Sequence, residues 1–156
     1  MAATYTSVLT WTGASHGATL DAKTFQRDLI VRFDDQVVPL SAAPEFGGDP
    51  ARVNPEEMLI GAVSACQALT YLFLAARKGI HVVSYEDRAQ GTLALVDGKM
   101  RMSEIVLHPV IGLEAGSDVA LAETLVEKAH DGCFIANSLN APVKIEAHFA
   151  AVASVA

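Results

Sequence analysis

Cysteine is scarce in this chain: two residues, Cys66 and Cys133, in a length of 156. That is too few for a secreted disulfide scaffold, so a redox or catalytic pair has to be weighed against two inert core residues. Basic residues are also few, 11 Lys and Arg against 18 Asp and Glu, and they are scattered rather than clustered. A net charge of −7 without a basic face excludes non-specific nucleic-acid binding. The opening "MAATYTSVLTW" lacks a basic segment followed by an apolar stretch, so no signal peptide is read and a cytoplasmic location is expected. With 51% hydrophobic residues the chain is too apolar for disorder. Its length suits one domain, expected to span 1–156.

Long uncharged apolar runs are absent with one exception, Met58 to Ala76, and Cys66 stands near its middle. The flanks define a helix. Asn54 can cap, Pro55 suits the first helical position, and Glu56 and Glu57 complement the helix dipole. Arg77 and Lys78 fall in the last turn, and Gly79 is a natural stop. Elsewhere the pattern predicts strands over 4–12 and 25–33, with "GASHG" as a turn between them. "QVVPLS" reads as a short strand that Pro39 demotes to an edge, and "AAPEFGGDPARVN" reads as a loop. "IHVVSYEDRAQGTLALVD" and "KMRMSEIVLHPVIGL" read as strands joined by a hairpin at "VDGK". "SDVALAETLVEKAHDG" has the pattern of an amphipathic helix capped by Ser117 or Asp118 and stopped by Gly132. A short helical turn, "CFIANSLN", then leads to a last strand, "PVKIEAHF". Strands, a long helix, strands, helix and strand describe an α+β domain with antiparallel pairing.

The Met58–Ala76 run is just long enough to span a bilayer. It contains Ser64, Gln67 and Thr70 and is rich in Gly and Ala, which weakens insertion, and strand-rich flanks leave it no sensible topology. We therefore expect no membrane association. A helix apolar on all sides is otherwise a buried one, and a chain of this size does not surround a helix completely, so a partner subunit is expected to cover one face. Free cysteine is among the most buried residue types and is usually inert, which is the bland reading of Cys66. Cys133 shifts the balance. It follows Gly132 and opens a short helix, where unsatisfied N–H groups favour a thiolate.

"NPEEMLIGAVSAC", followed far downstream by "AHDGCFIANSLNAPVKIE", resembles the OsmC/Ohr family, the osmotically inducible protein C and organic hydroperoxide resistance proteins. The Asn-Pro-Glu opening, a cysteine ten residues after Glu56, and a second cysteine shortly before the last strand carry the resemblance. It extends from about Val8 to Phe149, and "SYEDRAQGTLAL" and "GCFIANSLN" are close to one OsmC-like subgroup. The resemblance implies an intertwined α+β homodimer in which long central helices pack between antiparallel sheets. It also implies thiol-dependent reduction of organic hydroperoxides, with Cys66 as peroxidatic thiol, Cys133 as resolving thiol and Glu56 as partner of an activating arginine. No cofactor is implied; the partners are the peroxide and an external dithiol reductant. The organic-hydroperoxide branch carries that arginine in the turn after its first strand, where this chain reads "TGASHGA". Arg27 and Arg52 are the substitutes, and Arg27 is preferred because it falls in an expected strand. His16, in that turn, is read as solvated.

Attack on an O–O bond needs a thiolate, and an unperturbed cysteine is only a few per cent ionised at neutral pH. Cys66 stands about 16 Å from the start of its own helix, at 1.5 Å per residue, where the dipole has faded. On that argument a cation is required, and arginine suits because it keeps its proton. Glu56 is separated from Cys66 by about 15 Å of straight helix, so either the helix breaks or Glu56 serves the cysteine of a second subunit. Met58, Leu59, Phe73, Phe134 and Ile135 would favour an organic peroxide over hydrogen peroxide, and core packing is the alternative role for most of them. His130 and Cys133 have tolerable zinc spacing, but no second pair completes a site, so no metal is expected. A dimeric, non-enzymatic module that binds an apolar or thiol-reactive small molecule is the competing function.

Overall fold

The computed structural model describes residues 2–152. Their backbone forms two compact units that divide after residue 58 and are taken in turn.

In the first unit β1 (Val8–Trp11), β2 (Leu29–Phe33) and β3 (Gln36–Leu40) form an antiparallel sheet in chain order. β3 is an edge strand, and Pro39 sits opposite Ile30, where its missing N–H costs no ladder bond to a further strand. The expected strand over 25–33 begins only at Leu29. The reason is local: carbonyls ahead of it are taken by side chains. Trp11 Nε1 donates to the Gln26 carbonyl at 2.7 Å, and Arg27 donates to those of Phe25 and Ala22 at 3.0 and 2.6 Å. Arg27 therefore lies in a loop, not in a strand. The unit ends at the start of α1 (Pro55–Arg77). There the Asn54 side chain accepts from Glu57 N–H at 2.8 Å while Glu57 accepts from Asn54 N–H at 3.0 Å, a reciprocal cap of two orphan donors.

The second unit holds the rest of α1, two three-stranded sheets and α2 (Val119–Asp131). β5 (Gln90–Val96) and β6 (Lys99–Leu107) form the expected hairpin, turned at Asp97 and Gly98 with φ of 51° and 76°. Each of the two long strands expected on either side of that turn is two: β4 (Val82–Asp87) precedes β5, β7 (Pro109–Glu114) follows β6, and β4 pairs with β7 in a separate sheet. The last strand is likewise two, β8 (Val143–Ile145) and β9 (His148–Val152). They run parallel to β6 and β7 respectively, so each sheet is mixed rather than purely antiparallel. Asp118 caps α2, accepting from Leu121 N–H at 2.9 Å.

The α1 residues Val63, Gln67, Tyr71 and Ala75 recur every four positions and form one buried stripe. Tyr71 and Ala75 join Ile111 and Leu113 of β7 and Ala122, Leu125 and Ala129 of α2 in the main core. Val63 packs with Ile105 and Leu107 of β6 in a smaller one. Gly91 of β5 lets the helix approach: a Cβ there would fall 2.7 Å from Ile60 Cδ1. α1 is long and apolar enough to cross a membrane by length and composition, but this stripe makes it the organising helix of the core. Within one chain the burial is one-sided, leaving Leu69 and Phe73 exposed.

Candidate functional site

Cys66 lies on the flank of that buried stripe, one residue before Gln67, and is half-buried. The Gln67 side chain fixes this turn of α1 to α2 by donating to the Val126 carbonyl at 3.2 Å, and Tyr71 does the same one turn later at Ala122. Gln67 Oε1 and His130 Nδ1 are buried without a hydrogen-bond partner among the described residues. α2 ends at Asp131, and the chain bends through Gly132 into the turn that starts at Cys133. Gly132 rests on Thr70: a Cβ there would meet Thr70 Cγ2 at 3.4 Å. This contact brings the Cys133 turn against the Cys66–Thr70 face of α1.

The turn is held by Cys133 N–H on the His130 carbonyl, Asn137 N–H on the Cys133 carbonyl and Ser138 N–H on the Ile135 carbonyl, each at 3.0 Å. As at any helix start, the N–H groups between the first acceptor and the first repeating bond are left over. Those of Phe134 and Ile135 act on the Cys66 thiol. Burial pushes that thiol up; the Ile135 N–H, the Cys133 thiol, the Phe134 N–H and the Thr70 hydroxyl pull it down, and the result lies below its ordinary value. Consecutive amides around one anion are a familiar concavity for negative charge. Cys133 is buried. Burial pushes it above its ordinary value, and the neighbouring Cys66 adds to the rise against the N–H groups of Ala136 and Ile135. The pair is thus unequal. The turn amides act on both thiols, Ile135 and Phe134 on Cys66 and Ala136 and Ile135 on Cys133, where burial outweighs them.

The other expected site residues fall in several places. Phe73 and Phe134 line one groove of about 370 Å³ with Leu69, Thr70, Leu74 and Lys128. Ile135 contributes its N–H rather than a wall of that groove, and Leu59 is half-buried near the helix start. In the first unit, Met58 and Glu56 are half-buried in the first turns of α1, and no ion pair to Glu56 occurs among the described residues. The helix is unbroken from Pro55 to Arg77, which removes the alternative of a break between Glu56 and Cys66. Arg52 is neutralised by Asp28 at 3.3 Å and Asp49 at 3.4 Å. Arg27 has no carboxylate partner among the described residues; its guanidinium stacks over Phe25 at 4.3 Å. His16 is exposed beside Ser15. Among the described residues no group of three or more His, Cys, Asp or Glu side chains could hold a metal ion. Sequence reasoning passed over Thr70 and the Phe134 and Ile135 amides. The glycine-led turn "GCFIANSLN" signalled free donors, but nothing in it said which thiol they would meet.

The family model for OsmC-like proteins matches residues 47–148, the span that carries both cysteines and the turn amides. The chain belongs to the OsmC-like protein family. This OsmC-like protein is 26% identical over 113 residues to the uncharacterised protein YmaD of Bacillus subtilis (strain 168), covering 70% of this chain and 75% of that one. It is 25% identical over 108 residues to peroxiredoxin OsmC of Escherichia coli (strain K12), covering 69% and 74%. Among solved structures, an OsmC-like protein of unknown function from Vibrio cholerae superposes with a TM-score of 0.87 at 30% identity, over 94% of this chain and 100% of that one.

Proposed function

We propose that this OsmC-like protein is a cysteine-based peroxidase that reduces organic hydroperoxides to alcohols in the cytoplasm. The observation that carries the reading is the unequal thiol pair: Cys66 held below its ordinary value against two amides and the Cys133 thiol, Cys133 held above. The similarity to a peroxiredoxin of the same family supports it. In the first step the Cys66 thiolate attacks the terminal oxygen of the peroxide. The O–O bond breaks, the alkoxide takes a proton and leaves as alcohol, and Cys66 becomes a sulfenic acid. Cys133 then attacks that sulfur, an S–S bond forms and water leaves. An external dithiol reduces the disulfide by exchange and is itself oxidised. The apolar groove beside Thr70, with Phe73 and Phe134 in its wall, suits an organic substituent better than a second hydroxyl.

Glu56 is proposed to act on the Cys66 centre of a second subunit in a homodimer, because an unbroken helix of ten residues holds it about 15 Å from its own. The arginine proposed to accompany it is Arg27, since Arg52 already has two carboxylates. The test is peroxide consumption with a dithiol reductant, comparing cumene hydroperoxide with hydrogen peroxide. Cumene hydroperoxide is expected to be the faster substrate. Cys66→Ser should abolish turnover, whereas Cys133→Ser should complete one turnover and leave a sulfenic acid at Cys66. Equal residual activity in the two variants would overturn the roles, and no turnover in the wild type would favour the binding module.

A further inference from the structure

The first unit carries a pocket built around Arg27, the arginine proposed to accompany Glu56. It has a volume of about 290 Å³, the small end of the range for ligand sites. Trp11, Phe25, Leu29 and Phe46 form its apolar wall, and Ser41 and Arg27 are its polar side chains. The Ser41 hydroxyl is committed, accepting from Asp49 N–H at 3.1 Å and donating to the Arg27 carbonyl at 3.4 Å. Arg27 is not. Two of its five N–H donors go to the carbonyls of Phe25 and Ala22, and its plane lies on the Phe25 ring. Gly47 closes over the same group: a Cβ there would come within 3.3 Å of Nη1. These contacts fix the guanidinium and leave donors unspent. In a chain of net charge −7, it meets no carboxylate among the described residues, while nearby Arg52 meets two.

A fixed, uncompensated cation at an apolar wall asks for an anion with an apolar body. The guanidinium fork matches the two oxygens of a carboxylate. An apolar wall also disfavours more heavily hydrated dianions, whose desolvation costs more. We propose that this pocket binds a small amphipathic monocarboxylate, its carboxylate on the free N–H donors of Arg27 and its ring or short chain against Trp11, Phe25 and Phe46. The inference deepens the peroxidase reading and rests on its placing of Arg27, but it concerns equilibrium binding in the first unit and needs neither cysteine.

Trp11 is the single tryptophan of the chain, so tryptophan emission reports from the pocket wall itself. The experiment is a fluorescence titration of the full chain with 4-phenylbutanoate, with 4-phenylbutanol as the uncharged control. A saturable change is expected with the acid, and affinity for the alcohol should be weaker by about tenfold or more. Arg27→Met should weaken the acid by a similar factor, and Arg27→Lys should recover part of it, having the charge without the fork. The absence of a saturable change in the wild type would overturn the proposal, as would equal affinity for acid and alcohol or an unchanged affinity in Arg27→Met. The wild-type comparison of acid with alcohol decides even if a variant fails to fold. Because the readout requires no turnover, its failure and that of the peroxidase assay are separable.

Discussion

Replacing Ile135 by proline removes one N–H from the Cys66 cradle at a position whose φ of −70° proline can adopt. No backbone carbonyl loses a partner, since this N–H faces the thiols rather than a turn acceptor. A hydrogen bond to a charged group contributes about 1.5–3 kcal/mol. Cys66 is only half-buried, so water screens part of it and the lower figure applies. About 1.5 kcal/mol is roughly one pKa unit. The thiolate midpoint should therefore rise by about one unit, and alkylation at neutral pH should slow by up to about tenfold. The assay is the pH dependence of iodoacetamide modification, read at the Cys66 peptide by mass spectrometry so that Cys133 does not contribute. Ile135→Ala keeps the N–H and should leave the midpoint in place. An unmoved midpoint in a folded Ile135→Pro protein would refute the amide cradle. Were Arg27→Met to move it instead, thiolate stabilisation would return to the arginine.

Two further outcomes test the packing around the site. Asp118→Ala removes the cap of α2, which should cost about 1 kcal/mol and lower Tm by about 2–4 °C in a calorimetric scan. Burial pushes Tyr71 up to about 12, and burial together with the charges of Asp87 and Tyr71 pushes Tyr85 up as well. Both are raised above the unfolded value of about 10, so the stability they contribute is full below that pH and is lost as pH rises through their folded values. Denaturant midpoints should fall as pH is raised from about 10 towards 12, and less steeply in Tyr71→Phe; identical slopes would contradict the burial argument.

The sequence alone determined what is local. Asn54, Pro55 and Glu57 define the start of α1 because capping involves only residues within one turn. Asp97 and Gly98 define the β5–β6 hairpin because a two-residue turn selects residues that tolerate positive φ. The family was legible for a related reason: its signature is a set of short segments around two cysteines, readable without knowing where they meet. Strand partners were not legible. β4 and β5 are consecutive, yet they belong to different sheets, and β8 and β9 pair in parallel with strands far back in the chain. The alternation of a strand shows which side chains share a face, not which backbone lies alongside. Arg27 was misplaced in a strand because the pattern of "FQRDLIVRF" cannot show that Trp11 and Arg27 themselves occupy the preceding carbonyls. The same limit governs the thiols. From sequence, Cys66 is far from any dipole along its own helix and its anion demands a cation. Tertiary structure adds what the sequence could not show: Gly132 rests on Thr70, so the amides of a turn nearly 70 residues away help to lower the Cys66 thiol.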